Sequence, residues 1–269
     1  MGVLQRAAHV ARRPMQSARY RSRRRVDRFT MAPDVAALQA PRGDLTDLFF
    51  AHDGRLLTKW VHYLGVYERH LGPFRSGFPV DGGTRPLRLL EIGVLQGGSM
   101  QLWRKYLGPD AVIFGVDVDP RCAGFDGTEG RVRIGSQADQ GFLRAVVEEM
   151  GGVDVVIDDG SHRAKDQRLS FDALFPLLSF GGLYIAEDTH TSYWPWEYSG
   201  GLRRPGTFVE VAKGLVDGMH AWYYGWPHSR RNRWATTEIS AVSFYDSMVV
   251  IEKNRRQAPG MVNVGTPAR

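Results

Sequence analysis

Val153-Asp154-Val155-Val156-Ile157-Asp158-Asp159-Gly160-Ser161-His162 is a short apolar run that stops abruptly in two carboxylates. A second run, Gly182-Leu183-Tyr184-Ile185-Ala186-Glu187-Asp188-Thr189-His190, ends the same way. Near-continuous apolar positions predict parallel strands covered on both faces. Carboxylates at the carboxyl edge of such strands lie where open α/β sheets bind ligands. Asp159, Glu187 and Asp188 are therefore candidate hard-oxygen ligands for a divalent cation, with His162 one short turn away as a candidate base. The bland alternative is that these acids only cap the helices that follow. Two strand ends, both doubly acidic and both followed by His, favour a site.

Working outward, the chain alternates strand, turn and helix from Leu87 onward, the pattern of a doubly wound sheet. Strands are expected over 87–92, 112–116 and 131–134, before the two acidic ones. Residues 239–245 and 247–253 alternate around Asp246 and predict an antiparallel hairpin at the sheet edge. The first turn, Glu91-Ile92-Gly93-Val94-Leu95-Gln96-Gly97-Gly98-Ser99, lacks the G-x-G-x-x-G spacing of a dinucleotide site. An acid, a Gly and then a Gly pair fit a cofactor without phosphates. Asp117, at the end of the second strand, stands where an acid holds ribose hydroxyls. Ser136 and Gln137 follow the third strand, placed to meet an adenine edge. Together these residues point to S-adenosylmethionine.

The segments EIGVLQGGS, GVDVDPRC, IGSQADQ, IDDGSH and IAEDTHTSYW resemble those of the metal-dependent class I sugar O-methyltransferases, over roughly Thr46 to Lys253. That group includes macrolide mycinosyl and macrocin O-methyltransferases, and mycobacterial enzymes that methylate rhamnose or mannose units. The resemblance implies a Rossmann-like α/β methyltransferase sheet with Mg2+ on Asp159, Glu187 and Asp188 and His162 as base. It also implies that Glu91, Gly93, Ser99, Asp117 and Gln137 hold the methyl donor, with Asp158 near its methionine end; Gly97 and Ser136 join them as candidate donor contacts from the turn reading above. The expected acceptor is a sugar hydroxyl, and a homo-oligomer is left open. The macrolide enzymes carry a large extra N-terminal domain, whereas only residues 1–85 precede this core. Two other functions fit parts of the pattern: a catechol-type O-methyltransferase, and a non-catalytic S-adenosylmethionine-binding partner subunit.

Before the core, Leu57, Trp60, Leu64, Tyr67 and Leu71 alternate at spacings of three and four, predicting an amphipathic cover helix over 54–71 that Gly72-Pro73 ends. Its polar members Lys59, His62 and Tyr63 are within reach of a cofactor, although solvated positions are the simpler reading. Residues 74–85, rich in Gly and Pro, predict a linker. After the second acidic strand, the long stretch 191–235 holds five of the seven tryptophans, namely Trp194, Trp196, Trp222, Trp226 and Trp234. Aromatic faces with polar edges suit pyranose rings, so this stretch is the expected acceptor lid, with His190, Tyr193, Trp194 and Trp196 as candidate substrate contacts. A satellite core under a long loop is the alternative. Arg203, Arg204, Arg230 and Arg231 are placed to rim its mouth.

Composition bounds the rest. Residues 1–28 hold nine Arg and one Asp, a surplus larger than the +6 of the whole chain, so the remainder is slightly acidic. The basic tail over 1–30 is expected to be disordered, or to precede the true start at Met31. Its lack of interleaved aromatics and the near-neutral body argue against nucleic acid. One cysteine, Cys122, excludes a disulfide framework and a cysteine zinc site and suits a cytoplasmic protein. No apolar run approaches the roughly 20 residues of a membrane span. The expected organisation is tail 1–30, cover and linker 31–85, methyltransferase domain 86–255 and C-terminal tail 256–269.

Overall fold

The computed structural model describes residues 40–223 and 234–266. The basic tail, Tyr224, Trp226, Arg230 and Arg231 lie outside them. A seven-stranded sheet organises the described chain. Its strands are β3 (Arg88–Ile92), β4 (Val112–Asp117), β5 (Arg131–Ile134), β6 (Val153–Asp158), β7 (Leu178–Ala186), β8 (Ile239–Tyr245) and β9 (Met248–Lys253). They lie in the order β5-β4-β3-β6-β7-β9-β8. The first five are parallel, and β9 runs antiparallel between β7 and β8. The terminal hairpin thus inserts its second strand next to β7 and leaves β8 at the edge. Among the described residues no helix is long and apolar enough to cross a membrane.

Every residue of β6 is buried. Val155 and Ile157 join a core with Leu89, Trp103 and Ile185 on one face. Val156 joins Leu90, Phe114, Phe171 and Tyr184 on the other. Two covered faces explain why the run is apolar at odd and even positions alike. Helices α3 (Gly98–Leu107), α4 (Gln140–Met150) and α5 (Ala164–Leu174) connect the parallel strands. Asp139 caps α4 by accepting from the Gly141 and Phe142 amides, and left-handed Gly151 ends it. The aromatic stretch contains α6 (Phe208–Met219), and α7 (Ala235–Glu238) follows.

Three expectations need correction. After α1 (Asp44–Phe50), the cover helix α2 spans only Val61–Leu71, not 54–71. Residues 54–60 take an irregular path because their backbone finds partners on α3: the Arg55 amide donates to Gln101 Oε1 at 2.8 Å. A Cβ on Gly98 would lie 2.4 Å from the Leu56 carbonyl oxygen, so only glycine lets this segment pass over the first turn of α3. The stretch expected as a linker contains a hairpin, β1 (Phe78–Val80) and β2 (Gly83–Arg85). Its Arg85 clamps buried Asp154 at the start of β6 with two hydrogen bonds of 2.6 Å. Lastly, β7 begins at Leu178 rather than Gly182.

Candidate active site

Register brings the two acidic strand ends together. Asp158 pairs with Ala186 across β6 and β7, so Asp159 and Glu187 leave the sheet side by side. The Asp159 amide donates to the Ile92 carbonyl, which places it against the glycine turn as well. Asp188 and His162 both take left-handed backbone conformations, with φ of 51° and 55°. Non-glycine residues held in that region commonly mark functional sites. Here the kinks turn both side chains back toward Asp159. His162 Nε2 lies 3.5 Å from Asp188 Oδ2 and 3.9 Å from Asp159 Oδ1. One ligand atom from each of Asp159, His162 and Asp188 falls within 4.8 Å of the others. Among the described residues, the buried His162 Nδ1 has no hydrogen-bond partner.

Four residues before or on α2 supply donors to these acids. Lys59 Nζ lies 2.5 Å from Glu187 Oε1 and bonds Asp159 Oδ2, with its side chain only 2% exposed. Trp60 Nε1 donates to Asp188 Oδ1 at 3.1 Å and Tyr63 donates to the same oxygen at 2.7 Å. Tyr67 donates its hydroxyl to Glu187 Oε1. Burial alone would lower the Lys59 pKa, but Asp159, Glu187 and Glu91 around it raise it, so the ammonium stays charged. Glu187 is pushed up to about 8 by burial and by Asp159, with Lys59 pulling the other way. The sequence reading placed Trp60 and Tyr67 on an apolar stripe and missed their roles. The available signal was that the stripe carries Trp and Tyr, which need partners for their polar tips when buried.

Next to the acids, the glycine turn is pinned from below. Asp117 Oδ2 accepts from the Val94 and Leu95 amides at 3.0 and 2.9 Å. Glu91 is fully buried, accepting from Ser99 Oγ at 2.7 Å and Trp103 Nε1 at 3.0 Å, and burial raises its pKa. Gly97 caps α3 in a left-handed conformation. Asp158, pushed up to about 6 by burial, accepts from Tyr184 and Gln137. The Gln137 side chain also donates to Ser170 Oγ and accepts from the Ser161 amide. Ser136 beside it is exposed.

The aromatic stretch divides. The His190 ring meets Trp194 edge-on at 4.6 Å and Trp60 at 6.1 Å, while its Nδ1 pairs with Ser247 Oγ. Burial lowers the His190 pKa although Asp188 opposes it. Trp194 in turn meets Tyr198 at 5.7 Å. These rings form a wall beside Asp188. Tyr193 is exposed, and Trp196 is 86% exposed. Trp234 packs on Phe175 at 5.2 Å and belongs to the core.

The sheet order defines a class I methyltransferase fold, with a cluster of Asp159, His162 and Asp188 at its carboxyl edge whose donor set could hold a cation. No family model matches the chain. It is 36% identical over 231 residues, 82% of its length and 56% of the relative's, to 8-demethyl-8-(2-methoxy-alpha-L-rhamnosyl)-tetracenomycin-C 3'-O-methyltransferase of Streptomyces olivaceus. It is 40% identical over 181 residues, 60% of its length and 43% of the relative's, to L-olivosyl-oleandolide 3-O-methyltransferase of Streptomyces antibioticus. Among solved structures it resembles the MycE methyltransferase of the mycinamycin biosynthetic pathway in complex with Mg and SAH. That match has a TM-score of 0.68 and 30% identity, covering 80% of this chain and 56% of that one. Over the matched span, the chain is similar to these sugar O-methyltransferases. It spans about half the length of the curated relatives it matches.

Proposed function

We propose that the chain methylates a sugar hydroxyl of a glycoside, oligosaccharide or polysaccharide precursor, using S-adenosylmethionine and Mg2+. The observation that carries this reading is the convergence of Asp159, His162 and Asp188 within 4.8 Å beside the glycine turn. A carboxylate-rich donor set suits Mg2+, and the Lys59 ammonium between Asp159 and Glu187 supports reading the pocket as one that favours positive charge. S-adenosylmethionine would supply an electrophilic methyl group, and Mg2+ would act as a Lewis acid that lowers the pKa of a hydroxyl.

The chain's own residues do the rest. Asp159, Glu187 and Asp188 hold the cation. His162, oriented by its kinked backbone, takes the hydroxyl proton at Nε2. Glu91, Gly93, Gly97, Ser99, Asp117, Ser136, Gln137 and Asp158 shape the donor side. His190 and Trp194 form the acceptor wall, with Tyr193 and Trp196 further out. The rhamnosyl and olivosyl acceptors named for the relatives support a sugar, and the single cysteine supports work in the cytoplasm.

The test is methyl transfer from labelled S-adenosylmethionine to a panel of mono- and oligosaccharides and catechols, with Mg2+ or with EDTA. Methylated glycan in the Mg2+ arm alone is expected. Asp159→Ala, Glu187→Ala and Asp188→Ala should each abolish turnover without rescue, since each vacates a ligand position. Catechol products without glycan products would overturn the acceptor assignment. Donor binding with no transfer to any acceptor would indicate a binding subunit, and full turnover after verified metal removal would sink the Mg2+ assignment.

A further inference from the structure

Lys59 is the one residue of the irregular 54–60 segment whose charged group enters the acidic pocket. Its ammonium bonds Asp159 Oδ2, lies 2.5 Å from Glu187 Oε1 and 4.0 Å from Glu91 Oε1. Buried carboxylates without a counter-charge are strongly unfavourable, so a cation here offsets a real cost. A long flexible stem with a compact charge is also the side chain best able to enter and leave such a pocket. The segment behind it is tethered. His52 Nε2 pairs with the Arg55 carbonyl at 2.7 Å, the Arg55 amide is held by Gln101, and Trp60 is bonded to Asp188. A side-chain swing therefore frees the pocket without moving α2.

The oxygens that Lys59 takes on Asp159 and Glu187 are ones that a divalent cation would need. Two cations bonded to the same oxygens would repel each other strongly at such short range. We propose that Lys59 is a built-in counter-ion that holds the metal-free site together and that Mg2+ must expel, so that metal occupancy and the seated Lys59 ammonium are mutually exclusive. The proposal rests on the Mg2+ reading above. It makes metal affinity a property of a residue outside the ligand set.

The experiment needs no acceptor and no turnover. Mn2+ binding to the whole chain is titrated by electron paramagnetic resonance for wild type, Lys59→Gln, Lys59→Met and Lys59→Arg, each first checked for a cooperative melt. In parallel, wild type is treated with an amine-reactive label with and without saturating Mg2+, and Lys59 modification is read by mass spectrometry. The expected result is at least about fivefold tighter Mn2+ binding for the two neutral variants, within the usual range of site-to-site coupling, and no gain for Lys59→Arg. Lys59, shielded in the metal-free protein, should gain reactivity when Mg2+ is added. Equal or weaker Mn2+ binding in a folded neutral variant would overturn the proposal. So would Lys59 remaining unlabelled at metal saturation, the outcome if the ammonium stays on Glu187 while the metal uses only Asp159, His162 and Asp188. Either result leaves the Mg2+ site standing, since wild type still binds metal. Absence of Mn2+ binding in every variant would instead overturn the Mg2+ reading and this proposal together.

Discussion

The Tyr63 hydroxyl donates to Asp188 Oδ1 at 2.7 Å across 125 positions of sequence, joining the cover helix directly to the second acidic strand end. Asp188 holds a left-handed backbone with φ of 51°, and Tyr63 also contacts its amide at 3.2 Å. One phenol therefore supports both the side chain and the strained backbone of a candidate ligand. Tyr63→Phe should lower stability by about 1.5–3 kcal/mol, the usual range for a hydrogen bond to a charged group. Urea unfolding measures this, and metal affinity should fall as Asp188 loosens. A variant matching wild type in both would show that α2 does not organise the site.

His162→Ala should lower kcat by on the order of 10²–10⁴, the range for loss of a positioned base. Affinity for S-adenosylhomocysteine, read by calorimetry, should stay near wild type, because His162 faces Asp159 and Asp188 rather than the glycine turn. Normal turnover by this variant would return His162 to a structural role.

Asp154 gives the fold a testable acid limit. Burial would raise its pKa, but hydrogen bonds from Arg85, Arg88 and Ser179 overcome this and hold it below the usual carboxylate value. A depressed folded pKa means stability that is present above the unfolded value and lost as pH falls through the folded one. Asp154→Asn should therefore cost on the order of 3 kcal/mol near neutrality, as a broken buried pair does. The gap from wild type should close in acid, below the ordinary Asp range. Thermal melts across pH measure it; a gap independent of pH would show that the carboxylate charge is not what Arg85 stabilises.

Trp194 and Trp196 should separate in acceptor kinetics. Trp194 meets the His190 ring at 4.6 Å beside Asp188, whereas Trp196 is 86% exposed. Trp194→Ala should chiefly raise the acceptor KM, since ring contact binds ground and transition states alike. Trp196→Ala should change KM far less. The reverse order would relocate the acceptor wall.

Sequence made the sheet and the acidic edge legible because both are local patterns: continuous apolar strands, Gly-rich turns and carboxylates at strand ends. Asp159, His162 and Asp188 could be named from two short motifs, and register then placed them together. Trp60 and Tyr67 were not legible as site residues, and Lys59 was legible only as a helix residue within reach of a cofactor, not as a partner of the acids. The 3.6-residue periodicity of residues 57–71 carried the helix two turns too far, over a segment whose backbone is instead satisfied by Gln101. Periodicity also assigns a Tyr to a face without saying where its hydroxyl ends. Asp154 was hidden for a different reason. Its partner Arg85 lies 69 positions away on a two-stranded hairpin that Gly and Pro content presented as a linker. The amide of Gln137 could turn outward or inward, and only the buried Asp158 and Ser170 decide the matter.

Gly93 has a left-handed φ of 99°, and a Cβ there would lie 2.2 Å from the Asp159 carbonyl oxygen. The donor turn and the acidic strand end thus touch main chain to main chain, with no side chain as a spacer. The span between the proposed methyl source and the proposed cation is accordingly machined into the peptide skeleton, like the fixed jaw of a vice. The aromatic wall of 190–198 is the adjustable jaw, built from loop side chains that can be exchanged without resetting the gauge. On the proposed reading, new acceptors would be accommodated mainly by changing that loop, while any residue larger than glycine at position 93 would throw both halves of the proposed reaction out of alignment at once.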